Sequence, residues 1–244
     1  AFDTANLNTH TNGNVLAKNL NAYSNFGTNN YGHELSYIQN YKTVNSNSAS
    51  SENHVLVLGS ENVIGFYDNN NKYSVNGQGI DRPKTIIQDK DTASNPFIDL
   101  NRVRSEIVQI SAQLVGYQSQ NISISQYSQK NVLQLTDADG VGVLNIKATD
   151  STVFGKDYIQ LDGFRSGHDG SMVINVDCAG VSQINMPKAL VVVDGQEQGT
   201  NEVTEFSNGK VLWNYVNAQG VTINTHLMTG MVIAPGATVN IMQN

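Results

Sequence analysis

Asp99-Leu-Asn-Arg-Val-Arg-Ser-Glu-Ile-Val-Gln-Ile-Ser-Ala-Gln-Leu-Val-Gly-Tyr117 is the stretch on which the fold turns. Its apolar residues Leu100, Val103, Ile107, Ile110, Leu114 and Tyr117 follow one another at alternating steps of three and four. That spacing draws one narrow stripe along an α-helix and predicts a helix over about 97–118. Asn95-Pro96 supplies a start signal, and Asp99 brings negative charge to the positive first turn. At about 1.5 Å per residue the helix is a rod of about 33 Å, long enough to lie along roughly seven strands stacked about 4.8 Å apart. A lone amphipathic helix needs one long apolar surface, and the side of a β-solenoid offers one. A coiled-coil use of the stripe is less favoured, because it spans fewer than four heptads.

Working outward, the rest of the chain reads as short strands. Upstream, His10 to Leu20 alternates polar and apolar residues around Gly13, and strands are expected at 55–58, 63–66 and 73–75. Asn-Gly at 76–77 marks a hairpin or corner. Residues 21–54 lose the alternation and become rich in Asn, Ser and Tyr, which reads as a decorated excursion from the core. Downstream, strands are expected at 132–135, 142–147, 158–161, 172–176, 189–193, 211–215, 221–223, 230–233 and 238–242. The spacing is regular without a strict repeat, so the coils of a solenoid would be irregular. A jelly roll or β-sandwich fits the same spacing; the helix favours the solenoid.

Composition narrows the function classes. Charged residues make up 14% of the 244, far below the usual quarter, and are replaced by Asn, Ser, Thr, Gln and Gly. The net charge is −7 and the 14 basic residues are scattered, which argues against nucleic acid as a partner. No apolar run approaches the length of a membrane span. A removed leader or an excised domain would explain the start at Ala1-Phe-Asp-Thr. The single cysteine, Cys178, allows no internal disulfide and reads as a buried, inert thiol.

Two further segments carry a family resemblance. Val211-Leu-Trp-Asn-Tyr215 resembles the Leu-Trp-Asn-aromatic signature, and Gly230-Met-Val-Ile-Ala-Pro-Gly-Ala237 the closing motif, of the choice-of-anchor A domain. His10 to Ala17, Phe97-Ile-Asp-Leu100, Leu133 to Asp139 and Met172-Val-Ile-Asn-Val176 are similar to its other segments. Tyr215 and Gly236 depart from the usual Phe and Asn, and the 21–54 stretch looks longer than the family's. The resemblance implies a single all-β domain over 1–244, an irregular right-handed β-solenoid with one long helix packed along it. It also implies an anchored, extracellular bacterial surface adhesin, similar in architecture to ice-binding-type adhesins and often labelled collagen-binding. It implies no catalytic residue.

Among candidate sites, Tyr23, Tyr31, Tyr37 and Tyr41 stand among Asn, Ser and Gly, a composition suited to adaptable recognition loops. They are the expected ligand-binding residues; the bland alternative is a solvated loop pinned by a few aromatics. Trp213 and Tyr215 share one face of a strand and read as core anchors more than as a binding platform. Asn175 and Asn214, inside apolar strands, suggest polar ladders. Asp137-Ala-Asp139-Gly140 hints at a Ca²⁺ turn, but Ala148 stands where a bidentate Glu would be required, which favours a plain turn. His168-Asp169 lies between glycines without a nucleophile motif, and the five His lack zinc spacing. No metal, cofactor or catalytic residue is expected.

The expected function is a monomeric adhesin domain that binds a host matrix protein or surface glycan, does not insert into a membrane, and is anchored through a region outside this chain. A β-solenoid carbohydrate-active enzyme is the alternative, needing paired carboxylates that Asp137/Asp139 or Asp162/Asp169 would have to supply. Ice binding is less favoured because Thr136, Thr149, Thr152, Thr222 and Thr225 are scattered; a structural stalk is the remaining reading.

Overall fold

In the computed structural model, strands far apart in sequence lie side by side and run in the same direction. The structure describes residues 3–11, 14–27, 35–45, 54–67, 72–81, 83, 85–89, 96–198, 210–224 and 230–242. The chain divides into two units, residues 1–105 and 106–243.

The first unit holds β1 (Thr4–Leu7), β2 (Leu16–Ala22), β3 (Leu35–Thr43) and β4 (Val55–Leu58). The three-stranded antiparallel sheet β5 (Ile64–Tyr67), β6 (Lys72–Val75) and β7 (Gln78–Gly79) follows, and then β8 (Thr85–Gln88). The main sheet runs β1-β2-β3-β4-β8, every neighbouring pair parallel. Its inner face buries Ala17, Leu20, Ile38, Tyr41, Leu56 and Leu58 with Phe26 and Val75. Residues 35–43, part of the expected excursion, are therefore a central strand. The reason is visible in the register. Ala17 pairs with Ile38 and Leu20 with Tyr41, three residues further on in both strands, and all four face one core. A phase slip in both neighbours preserves burial but erases the alternation that reveals a strand.

The helix α1 (Leu100–Val115) is shorter than the 97–118 expected. Asp99 ends it: its side-chain Oδ1 accepts hydrogen bonds from the backbone N–H of Asn101 and Arg102, both at 3.0 Å, as an N-cap does. Leu100 is buried with Tyr37 and Val57 of the first unit.

The second unit continues with β9 (Ile122–Gln126), β10 (Lys130–Leu135), β11 (Val141–Lys147), the single turn α2 (Ser151–Phe154), β12 (Tyr158–Phe164), β13 (Ser171–Asp177) and β14 (Ile184–Asn185). It closes with β15 (Ala189–Val193), β16 (Gln196–Glu197), β17 (Val211–Val216), β18 (Gly220–Ile223), β19 (Met231–Ile233) and β20 (Thr238–Ile241). Three sheets form: β16-β15-β12-β10-β9, β11-β13-β17-β19 and β14-β18-β20. Pairing is parallel throughout except where β9 and β16 lie antiparallel at the edges of the first. Successive strands such as β12, β13 and β14 belong to three different sheets, and the next pass of the chain lays β15, β17 and β18 beside them. Parallel ladders of this kind are not those of a jelly roll or sandwich, which are built from antiparallel strands. Trp213 and Tyr215 are buried at the centre of this core, their rings stacked 6.4 Å apart.

Within the second unit, polar bonds hold the C-terminal part of α1. Asn145, Asn175 and Asn214 are register partners on β11, β13 and β17, and their amides bond in a chain: Asn214 to Asn175 at 2.8 Å and Asn175 to Asn145 at 2.7 Å. Each also donates to a carbonyl at or just past the end of α1: Asn214 to Ser111 (3.0 Å), Asn175 to Leu114 (2.9 Å) and Asn145 to Tyr117 (2.7 Å). Three helical residues advance about 4.5 Å, close to the strand spacing of about 4.8 Å, so one carbonyl meets each strand. Leu114 is among the last four residues of α1, whose carbonyls have no i+4 amide within the helix. The buried helix face consequently includes Ser111, whereas Ile110 and Tyr117 of the expected stripe are exposed.

Candidate cleft on the outer face of the first sheet

The outer face of β1-β2-β3-β4-β8 carries rows of amides and hydroxyls. Asn21 donates to Asn6 at 2.9 Å and accepts from Thr43 at 3.0 Å; one row over, Asn40 donates to Asn19 at 3.2 Å. Where these rows approach residues 96–101, a cleft of about 280 Å³ opens, lined among others by Lys18, Gln39, Asn40, Ser60, Glu61 and Asn101. That is near the lower end for ligand pockets and holds roughly nine waters' volume, which suits one small polar unit.

Its walls are held by side chains that replace missing backbone partners. Beyond the end of β4, no further strand among the described residues pairs with β3 on that side, and Asn62 takes that place. Asn62 accepts from the Tyr41 N–H at 2.9 Å and donates to the carbonyls of Gln39 at 2.7 Å and Gly59 at 3.0 Å. Gly59 makes the close approach possible, since a Cβ there would stand 2.5 Å from the Gln39 carbonyl oxygen. Ser60 and Glu61 are thereby set over the sheet.

On the opposite wall, the buried carboxylate Asp89 accepts from the Tyr37 hydroxyl at 2.8 Å and from the Phe97 N–H at 3.0 Å. These bonds tie 96–101 to the sheet. Burial pushes the Tyr37 phenol up to about 12, with the Asp89 charge adding to the rise and the Gln39 amide opposing it. Asp99 is committed to capping α1. Lys18, Ser60, Glu61 and Asn101 also line the cleft, and among the described residues none of their side chains is engaged in a hydrogen bond or ion pair.

A family model described as "Putative Ice-binding-like adhesive domain" matches residues 1–244. The chain belongs to that family of adhesive domains. No curated protein and no solved structure matches it. The family shown is thus an adhesive one, and the match does not extend to the choice-of-anchor A family in particular.

Of the four tyrosines expected to bind, the three that are described are not brought together on one exposed surface. Tyr23 is 58% exposed at the end of β2, whereas Tyr37 and Tyr41 are 1% and 2% exposed within β3. Tyr31 lies outside the described residues. Tyr37 underlies the cleft through its hydroxyl, and Tyr41 packs edge-on against Phe26 in the core. Most of the cleft's polar residues were missed; the signal was present only as Asn at 19, 21 and 40, which composition cannot tell from loop asparagines.

Other chemistry-bearing residues take structural roles. Asp137 accepts from the Asp139 N–H at 3.1 Å in a plain turn, while Asp139 meets His168 Nδ1 at 3.0 Å. The His168 contact holds the Asp139 carboxyl below its ordinary range. Lys210 bonds the His168 carbonyl at 3.0 Å and the fully exposed Asp169 at 3.3 Å. Among the described residues no three His, Cys, Asp or Glu side chains gather as metal ligands would. Cys178 is buried, and burial raises its thiol to about 11. No helix of the described residues is long and apolar enough to cross a membrane.

Proposed function

We propose that this chain is an extracellular, non-catalytic adhesive domain of a bacterial surface protein that binds a glycan unit in the cleft over β3. The observation that carries this reading is the set of uncommitted polar groups at Lys18, Ser60, Glu61 and Asn101, on walls fixed by the Asn62 and Asp89 bonds. A rigid set of donors and acceptors discriminates a hydroxylated ligand from its analogues, because an unmatched polar group in a pocket is costly. The cleft's size favours a sugar over a matrix protein, which would need about 800 Å² on each partner. Family membership supports adhesion.

Binding without catalysis is favoured because two of the nearby carboxylates, Asp89 and Asp99, are engaged in holding the fold. That leaves Glu61 without the partner carboxylate glycoside hydrolysis requires. The parallel ladders of each unit are read as faces of an irregular solenoid, right-handed as parallel crossovers almost always are. Kinship to the choice-of-anchor A family rests on the Leu212-Trp-Asn-Tyr215 and Gly230–Ala237 segments.

The test is binding of the purified chain to immobilised glycans and matrix proteins, beside Lys18→Ala, Asn40→Ala and Tyr23→Ala. Saturable glycan binding lost in the first two variants and kept in the third is the expected result. Binding only to a matrix protein, or glycan binding untouched by both cleft variants, would overturn it. Release of new reducing ends would overturn the non-catalytic part.

A further inference from the structure

Away from the cleft, the β5-β6-β7 sheet exposes two adjacent aromatic residues. Phe66 is 63% and Tyr67 57% exposed. Adjacent residues on a strand face opposite ways, so the two rings stand on different faces of the sheet. Phe66 pairs with Tyr73, and their rings stack 5.5 Å apart on the face that carries Ile64 and the buried Val75.

Tyr67 is on the other face, where its neighbours across the strands are unusually small. Gly65, Ser74 and Gly79 are register partners in a row there, and Tyr67 itself is paired with Lys72. Its ring rests on Gly79: a Cβ at that position would stand 2.9 Å from Tyr67 Cδ1 and 3.1 Å from Cγ. The ring thus lies against the backbone at Gly79 while more than half of the residue stays exposed. Lys72, the register partner of Tyr67, approaches Asp81 to 3.8 Å, both partly exposed, which brings a donor and an acceptor to the strand position opposite Tyr67.

A singly exposed aromatic is ordinary on a protein surface; what sets Tyr67 apart is that its ring is placed against the backbone at Gly79. Its negative π face attracts polarised C–H groups, and Tyr loses little freedom on binding. The ligand whose chemistry matches both the ring and the Lys72–Asp81 pair is a pyranose: an apolar C–H face for Tyr67 and ring hydroxyls for Lys72 and Asp81. A membrane surface fits poorly, since the sequence at 68–71 is Asp-Asn-Asn-Asn. We propose that Tyr67, seated on Gly79 with the Lys72–Asp81 pair at the strand position opposite, is a sugar-stacking subsite separate from the cleft. Its ligand class rests on the glycan-binding reading; its geometry does not.

The experiment is affinity electrophoresis of the whole chain in gels containing hydroxyethylcellulose, galactomannan, xylan or dextran. Variants Tyr67→Ala, Gly79→Ala, Phe66→Ala and Lys18→Ala are run beside it, with thermal melting to confirm that each is folded. At least one polysaccharide is expected to retard the parent chain. Tyr67→Ala then weakens retention about tenfold or more, Gly79→Ala weakens it by lifting the ring, and Phe66→Ala on the opposite face leaves it unchanged. No retardation by any of the four polymers would overturn the proposal, as would equal losses in Phe66→Ala and Tyr67→Ala. Retention lost in Lys18→Ala but kept in Tyr67→Ala overturns this subsite and leaves the cleft standing; the reverse pattern does the opposite.

Discussion

Replacing Asn214 by Ala tests how the helix is held. Asn214 is fully buried, and three hydrogen bonds depend on its side chain. Its amide donates to the Ser111 carbonyl and to Asn175 Oδ1, and its own Oδ1 accepts from the Ser111 hydroxyl at 2.6 Å. Truncation leaves Asn175 Oδ1 without its donor in a site 2% exposed. The Ser111 hydroxyl, itself buried, can turn back to a carbonyl of its own helix, so it is only partly stranded. The orphaned buried acceptor costs about 1–3 kcal/mol and the two other lost bonds about 1 kcal/mol each, which gives about 3–5 kcal/mol in all. For a chain of this size that lowers the thermal midpoint by about 6–20 °C. Asn145→Ala, at the exposed end of the same ladder, should cost less than about 1 kcal/mol because water replaces what is removed. Ile110→Ala, in the stripe but 42% exposed, should also cost less than Asn214→Ala. Thermal unfolding followed by circular dichroism measures all three, and amide exchange at 111–117 reports the helix end directly. Equal costs for Asn145 and Asn214, or an Asn214→Ala midpoint within about 1 °C of the parent, would refute the reasoning.

Two predictions follow from titratable groups. The folded-state pKa of Tyr37 is raised to about 12, so its contribution to stability is intact below the ordinary phenol value of about 10 and is lost as pH rises toward 12. Alkaline melting curves should therefore fall less steeply above pH ~10 in Tyr37→Phe than in the parent, although the variant is less stable at neutral pH. With its thiol raised to about 11, Cys178 should stay protonated and react with a thiol reagent at pH 8 only in denaturant; rapid labelling of the native chain would contradict its burial.

The strands most legible in sequence were those with an unbroken apolar run, such as Val55–Leu58, Met172–Val176 and Ala189–Val193, because residues buried on both faces leave a continuous signal. The central strand β3 was hidden by its phase slip at residues 39–40 and by tyrosines that composition assigns to loops. Helix α1 was legible as a helix but not in its buried face: Ser111 is inside because Asn214 meets it, a pairing across 103 residues that no local period encodes. The asparagine ladder was visible at Asn175 and Asn214, since a polar residue within an apolar strand needs a partner. The cleft was not visible, for Tyr37 and Asp89 are 52 residues apart and only the fold joins them.

The most direct measurement is amide chemical-shift mapping of the labelled chain titrated with the best glycan from the immobilised panel. The account predicts saturable shifts at Lys18, Gln39, Asn40 and Gly59–Glu61, with residues 97–101 following as the cleft fills. Saturable shifts confined to other surfaces, with those residues unmoved, would contradict it.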